Sequence, residues 1–192
     1  MLKKIIDLTI LSDYWHSLRK YTFAYERKDG KTETQIREVY DRGNGVAILL
    51  YNKEKKSVIL TRQFRLPTYV NGNRNGMLIE VCAGSLEEEN PRECIIRETK
   101  EETGYEIKNP KKVFEAYMSP GAVTEIIHFY VAQYSDDMKK SKGGGLEEEH
   151  EDIEVLEIDF EEVKKMLENG KIKDGKTAIL IQYAIINKLF EL

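Results

Sequence analysis

The stretch from Ala83 to Tyr105, A-G-S-L-E-E-E-N-P-R-E-C-I-I-R-E-T-K-E-E-T-G-Y, constrains this chain more than any other. Asn90 can cap a helix, Pro91 suits the first helical position, Glu93 can reach back to the cap, and Gly104 can close the far end. The spacing therefore predicts a helix from Asn90 to Thr103. At about 100° per residue, Glu98 and Glu102 stack one turn apart with Glu101 beside them, while Ile95, Ile96, Thr99 and Thr103 point away. One face is a carboxylate cluster.

Such a cluster works against folding by itself, since like charges at this spacing cost a helix about 0.2–0.5 kcal/mol per pair. A solvated, Glu-rich helix face is the plain alternative. A divalent cation reverses the sign. Carboxylates with few other ligands suit Mg²⁺, which keeps several waters and takes phosphate oxygens as its remaining partners. Arg97, next to Glu98, can hold one carboxylate by a bidentate pair.

Glu89, Arg97-Glu98, Glu101-Glu102-Thr103-Gly104 and the following Tyr105 stand at the spacing of a known motif. The stretch resembles the box of the Nudix hydrolases, enzymes that cleave a nucleoside diphosphate linked to another group. Two positions depart from that pattern. Gly84 and Glu89 enclose one residue fewer than the box has, and Thr99 stands where an aliphatic residue follows Arg-Glu.

At 192 residues the chain is long enough for one full core with a small N-terminal extension. Its 34 acidic residues outnumber 30 basic ones, and the basic residues form no tract, which argues against nucleic-acid attraction. An anionic substrate then needs a metal and local Arg or Lys. Cys82 and Cys94, the only cysteines, lack metal-site spacing and read as core thiols of a reducing compartment. Met-Leu-Lys-Lys-Ile-Ile at the start lacks an apolar signal core, and Ala178–Ile186 is too short to span a bilayer. The expectation is a soluble cytoplasmic protein without membrane or nucleic-acid partners.

Residues 1–42 read as an antiparallel β extension, with a hairpin turn at Asp29-Gly30, and residues 43–192 as the main domain. In that domain Val46–Tyr51, Ser57–Phe64, Met77–Val81, Val113–Met118, Ile126–Tyr134 and Ile153–Ile158 read as strands. Helices are expected over about 160–169 and 176–189. Strands interleaved with helices predict an α/β/α sandwich on a mixed sheet. Ser135–Glu151 reads as a long polar loop of the kind that forms lids. Gly170 to Thr177 satisfies G-x-x-x-x-G-K-T, but helical spacing precedes it where a phosphate-binding loop needs a strand, so a helix-to-helix turn is the better account. His16, His128 and His150 share no metal spacing.

The resemblance covers nearly the whole chain through Arg37–Gly45, Arg62–Arg65, Val70–Asn73, Ser119–Glu125, Gly143–Gly145, Asp152–Glu157 and Asp174–Thr177. These segments look like the GDP-mannose-hydrolysing branch of the Nudix enzymes. The resemblance implies Mg²⁺-dependent (or Mn²⁺-dependent) release of GMP and mannose 1-phosphate. It implies metal ligation by the Ala83 carbonyl, Glu98, Glu102 and Glu151. Glu101 would assist. Glu151 would also orient or deprotonate the attacking water, with Glu147, Glu148 and Glu149 as competitors for that role. Substrate contacts carried over are Trp15, Ile36, Arg37, Glu38, Arg65, Ala83, Gly84, Ser85, Glu102, Glu125, His150, Glu151 and Lys176. Ile36 and His150 differ in residue type from the relatives' positions. The resemblance further implies a homodimer that exchanges its N-terminal strands. Two alternatives stay open at this point: an ADP-ribose or broad-range nucleotide sugar pyrophosphatase, and a catalytically silent ligand sensor.

Overall fold

A computed structural model describes residues 1–191, with Glu149 described by its backbone alone. The chain forms two compact units, one of residues 1–44 with 117–126, the other of residues 45–116 with the chain from Ile127 onward.

The first unit is a three-stranded antiparallel sheet of β1 (Leu2–Asp13), β2 (Ser17–Glu26) and β3 (Thr32–Asp41), in that order. The Asp29-Gly30 turn forms as the sequence predicts. Asp29 Oδ1 accepts the Lys31 N–H at 3.1 Å, and Gly30 takes a φ of +81° that a side chain would resist. β2 and β3 then pair without a slip from Ser17 opposite Asp41 to Glu26 opposite Thr32. Residues 117–126, the Ser119–Glu125 segment with the ends of the strands expected on either side of it, join this unit. Tyr40 N–H donates to Ala122 O at 2.8 Å, and Thr124 N–H donates back to Tyr40 O at 3.1 Å.

The second unit contains a seven-stranded mixed sheet. Its main path runs β10 (Glu154–Asp159), β5 (Ser57–Phe64), β4 (Asn44–Asn52), β9 (Ile126–Gln133) and β8 (Lys111–Tyr117). Two short strands complete it: β6 (Met77–Glu80) pairs with β5, and β7 (Cys82–Leu86) pairs with β4. β4 and β9 pair parallel, in register from Gly45 with Ile127 to Tyr51 with Gln133. Their apolar runs are buried on both faces, as a covered parallel pair requires.

Helices cover both faces. α1 (Leu66–Val70) is a single turn, while α2 (Pro91–Thr103), α3 (Phe160–Glu168) and α4 (Gly175–Ile186) are longer. On one face Cys94 and Ile95 of α2 pack with Val46, Ile48, Leu50, Ile59, Tyr130 and Ala132. Strand alternation turns Phe129 to the other face. There it meets Phe114 at 4.9 Å between ring centroids, and Phe114 meets Tyr183 of α4 at 6.1 Å. The α/β/α layering expected from the sequence is present.

The caps of α2 also form as expected. The Asn90 side chain accepts the Arg92 N–H at 2.9 Å, Pro91 opens the helix, and Gly104 closes it at a φ of +78°. The reciprocal bond from Glu93 is not found among the described residues. Gly170 to Thr177 links α3 to α4, so the phosphate-loop pattern has no strand before it. No described helix is long and apolar enough to cross a membrane.

Candidate active site

β6 and β7 deliver Ala83, Gly84 and Ser85 to the side of α2. The Ala83 N–H donates to Glu102 Oε2 at 3.2 Å, which draws that carboxylate against the strand. Glu102 is only 2 % exposed. Glu98 lies one turn earlier and occupies the space that a Cβ on Gly84 would need. Glu101 turns aside to Arg97 Nη1 at 2.8 Å, while Arg97 Nη2 reaches Glu89 at 2.6 Å and Glu98 at 3.0 Å. The expected bidentate grip on one carboxylate does not form: Arg97 makes single contacts to three carboxylates, Glu98 among them.

Burial pushes the Glu98 carboxyl up to about 7; Arg97 opposes the shift, and the negative charges of Glu101 and Glu151 add to it. Burial likewise pushes Glu102 up to about 8, with Glu98 and Glu151 adding to the shift. Among the described residues no three such groups close on one point. The donor set nevertheless fits a hard divalent ion. Glu98 and Glu102 are raised by burial and by neighbouring negative charge, and a doubly charged oxygen-seeking cation relieves both.

Glu151 reaches this field from the loop after β9. That loop is tied to the last turn of α2: Gly144 N–H donates to Glu102 O at 2.9 Å and Gly145 N–H to Glu101 O at 3.1 Å. Glu151 Oε2 accepts the Leu146 N–H at 3.1 Å and sits where a Cβ on Gly145 would fall. The long polar loop expected over Ser135–Glu151 is thus anchored, with 3₁₀ turns at Asp136–Met138 and Glu147–Glu149. His150 is exposed in a left-handed conformation at φ 56°. Of the competing loop glutamates, Glu147 and Glu148 are exposed, and the Glu149 side chain lies outside the described residues.

Arg65 and Lys176 meet at a residue the sequence did not single out. Glu80, 2 % exposed at the end of β6, accepts from Arg65 Nε at 2.7 Å and from Lys176 Nζ at 3.2 Å. Asp174 takes a second bond from Lys176 at 2.7 Å. For Arg62 and Arg65 at the end of β5 the sequence leaves phosphate binding and pairing with a nearby Glu equally open, and Arg62 takes the second, joining Glu154 across β5 and β10.

The remaining predicted contacts lie in the first unit. Trp15 and Ile36 are exposed at 85 % and 57 %. Arg37 donates to Ile36 O at 2.7 Å and Gln35 Oε1 at 3.2 Å, and Glu125 pairs with Arg42 at 3.4 Å. Arg37 and Glu38 line an open cavity of about 770 Å³ with Tyr21, Phe23, Tyr117 and Pro120. His128 lies 3.1 Å from Glu115 without a hydrogen bond, a cross-strand neighbour and no ligand cluster.

Comparison with known proteins matches the chain in two segments. Residues 4–40 match the GDP-mannose pyrophosphatase NudK N-terminal domain, and residues 41–178 match the NUDIX domain. A GDP-mannose pyrophosphatase of Pectobacterium atrosepticum is 56 % identical over 186 residues, covering 97 % of this chain and 95 % of the relative. Another of Shigella flexneri is 53 % identical over 187 residues, covering 97 % of each. That of Escherichia coli O157:H7 is 52 % identical with the same coverage. A crystal structure of an ADP compounds hydrolase superposes with a TM-score of 0.72 over 98 % of this chain and 96 % of that one, at 16 % identity, a likeness of fold. With the domain matched over most of its length and full-length relatives more than half identical, the chain belongs to the Nudix family of hydrolases.

Proposed function

We propose that this chain is a Mg²⁺-dependent pyrophosphatase that hydrolyses GDP-mannose to GMP and mannose 1-phosphate, acting as a cytoplasmic homodimer. The observation that carries the chemistry is a pair of carboxylates one turn apart, Glu102 buried against Ala83 and the partly buried Glu98 against Gly84, both within the field of Glu151. The substrate follows from relatives of that name at 52–56 % identity across nearly the whole chain.

The Ala83 carbonyl, Glu98, Glu102 and Glu151 would hold the ion, with Mn²⁺ as an alternative to Mg²⁺. When bound, the ion neutralises the diphosphate and lowers the pKa of water. The chain supplies the rest. Glu101 keeps Arg97 from neutralising Glu98 alone, and Arg97 holds the helix face against its own repulsion. Glu151, steadied by the Leu146 N–H, accepts the proton of the attacking water. The water oxygen bonds to one phosphorus as the bridging oxygen leaves with the other, so one anhydride becomes two phosphate monoesters. Arg65 and Lys176 compensate the remaining phosphate charge. Trp15, Ile36, Arg37, Glu38, Gly84, Ser85, Glu125 and His150 contact the base, ribose or sugar.

A substrate panel resolved by product tests this. With Mg²⁺, GDP-mannose should yield GMP and mannose 1-phosphate faster than ADP-ribose yields AMP. Equal or faster turnover of ADP-ribose would move the chain to another branch, and release of inorganic phosphate would rule out the cleaved bond.

A further inference from the structure

We propose that Glu80 is a positioning residue: it holds Arg65 by Nε and Lys176 by Nζ so that the remaining donors of both cations grip the diphosphate. The proposal rests on the reading above that these two cations bind substrate phosphate.

The geometry divides one carboxylate between two cations. Glu80 Oε2 takes Arg65 Nε at 2.7 Å and Oε1 takes Lys176 Nζ at 3.2 Å. Nε lies on the stem side of the guanidinium, so its use leaves the Nη1 and Nη2 fork, the edge that matches a phosphate bidentately. Among the described residues neither nitrogen of that fork has a hydrogen-bond partner, and the Arg65 side chain is 40 % exposed. Lys176 spends two of its three donors, on Glu80 and on Asp174, and keeps one.

The same bonds fix the cations to the end of β6, just before the strand that carries Ala83. Asp174 Oδ2 accepts from Thr177 N at 2.8 Å and Thr177 Oγ1 at 2.7 Å. Thr177 Oγ1 in turn accepts the Val81 N–H at 2.7 Å, immediately after Glu80. The path runs from Glu80 through Lys176, Asp174 and Thr177 back to Val81. Two positive and two negative side chains cancel, so this cluster needs no bound anion for its own stability. What it leaves over for a ligand is directed donors. A carboxylate needed only to neutralise one buried cation would not bridge two on separate elements.

The test uses the full-length protein, Mg²⁺ and a methylene-bridged analogue of GDP-mannose, which binds without turnover, with affinity read by calorimetry and folding by thermal melting. Glu80→Gln and Arg65→Ala should each weaken binding by roughly 10- to 100-fold, as for a lost charge-assisted bond. The double variant should lose no more than the worse single one, because the two residues act as a unit. Arg65→Lys leaves Glu80 intact and keeps the charge, but its single nitrogen cannot both sit on Glu80 and present a fork. It should lose as much affinity as Arg65→Ala, and it decides the matter even where Glu80→Gln fails to fold. Binding by Arg65→Lys within about twofold of the parent chain would overturn the proposal. So would a Glu80→Gln protein that melts lower yet binds normally, while Arg65→Ala still binds poorly; the phosphate role of Arg65 would survive that result. Normal binding by Arg65→Ala would remove the phosphate reading itself, and the positioning role with it.

Discussion

Gly84 is a glycine because Glu98 fills the place of its side chain. An added Cβ would fall on Cγ, Cδ and Oε1 of Glu98, the movable end of a flexible side chain rather than backbone. Gly84→Ala should therefore leave the fold standing and displace one carboxylate. The expected outcome is a melting temperature within a few degrees of the parent, about 3 °C for each kcal/mol in a chain this size. Turnover of GDP-mannose should fall by about 10–100-fold, with weaker Mg²⁺ dependence. Glu98→Gln should lose at least as much. An active Gly84→Ala enzyme would show that the position of Glu98 does not matter. At this scale the sequence is uneven. Glu98, Glu101 and Glu102 were legible because all three ride one helix whose turn fixes their angles. Glu80 was not, since its partners lie 15 and 96 positions away and nothing local marks a lone Glu in a four-residue strand as buried.

β5 and β10 meet the end of β9 at a polar knot that braces the sheet. The Ser57 and Tyr134 hydroxyls lie 2.6 Å apart, and both reach Glu157 Oε1, at 3.2 and 2.9 Å. Lys55 Nζ joins the same oxygen at 3.1 Å. Burial alone would raise the Glu157 pKa, but the bonds from Lys55, Tyr134 and Ser57 outweigh it and hold the carboxyl below its ordinary value. A depressed carboxylate contributes stability above its unfolded pKa and loses it as pH falls through the folded one. Glu157→Gln should thus lower stability at pH 7 by about 1 kcal/mol or less, because solvent screens an exposed pair. The difference should shrink as pH drops below the ordinary carboxylate range, read as melting temperature against pH from about 7 to 3. A gap that widens in acid would mean the carboxylate is not stabilising. The strands that build this knot were legible as apolar runs, and Ser57–Phe64 forms over the predicted residues. β7 was not, because A-G-S reads locally as a loop and becomes a strand only through pairing with β4.

The whole chain leaves one sheet incompletely covered. Every residue of β1 is exposed, including Leu2, Ile5, Ile6, Leu8, Ile10 and Leu11. A long apolar edge strand open on both faces invites pairing, and soluble chains seldom leave such a surface bare. A second copy of the chain is the occupant proposed here. Trp15, Ile36, Arg37 and Glu38, the proposed substrate contacts, share that sheet or its turn, so a dimer that exchanges strands would tie those contacts to assembly. The pairing of Asp7 through Ile10 is free of register shifts, which puts Leu8 and Ile10 on one face. Leu8→Lys with Ile10→Lys should place two charges in that interface without disturbing the β2–β3 hairpin. By light scattering the parent should weigh as a dimer and the double variant as a monomer, with far-ultraviolet dichroism unchanged and GDP-mannose turnover lost. Deleting residues up to Asp41 should have the same two effects at once. A variant that is monomeric yet fully active would separate assembly from catalysis and leave each active site to a single chain.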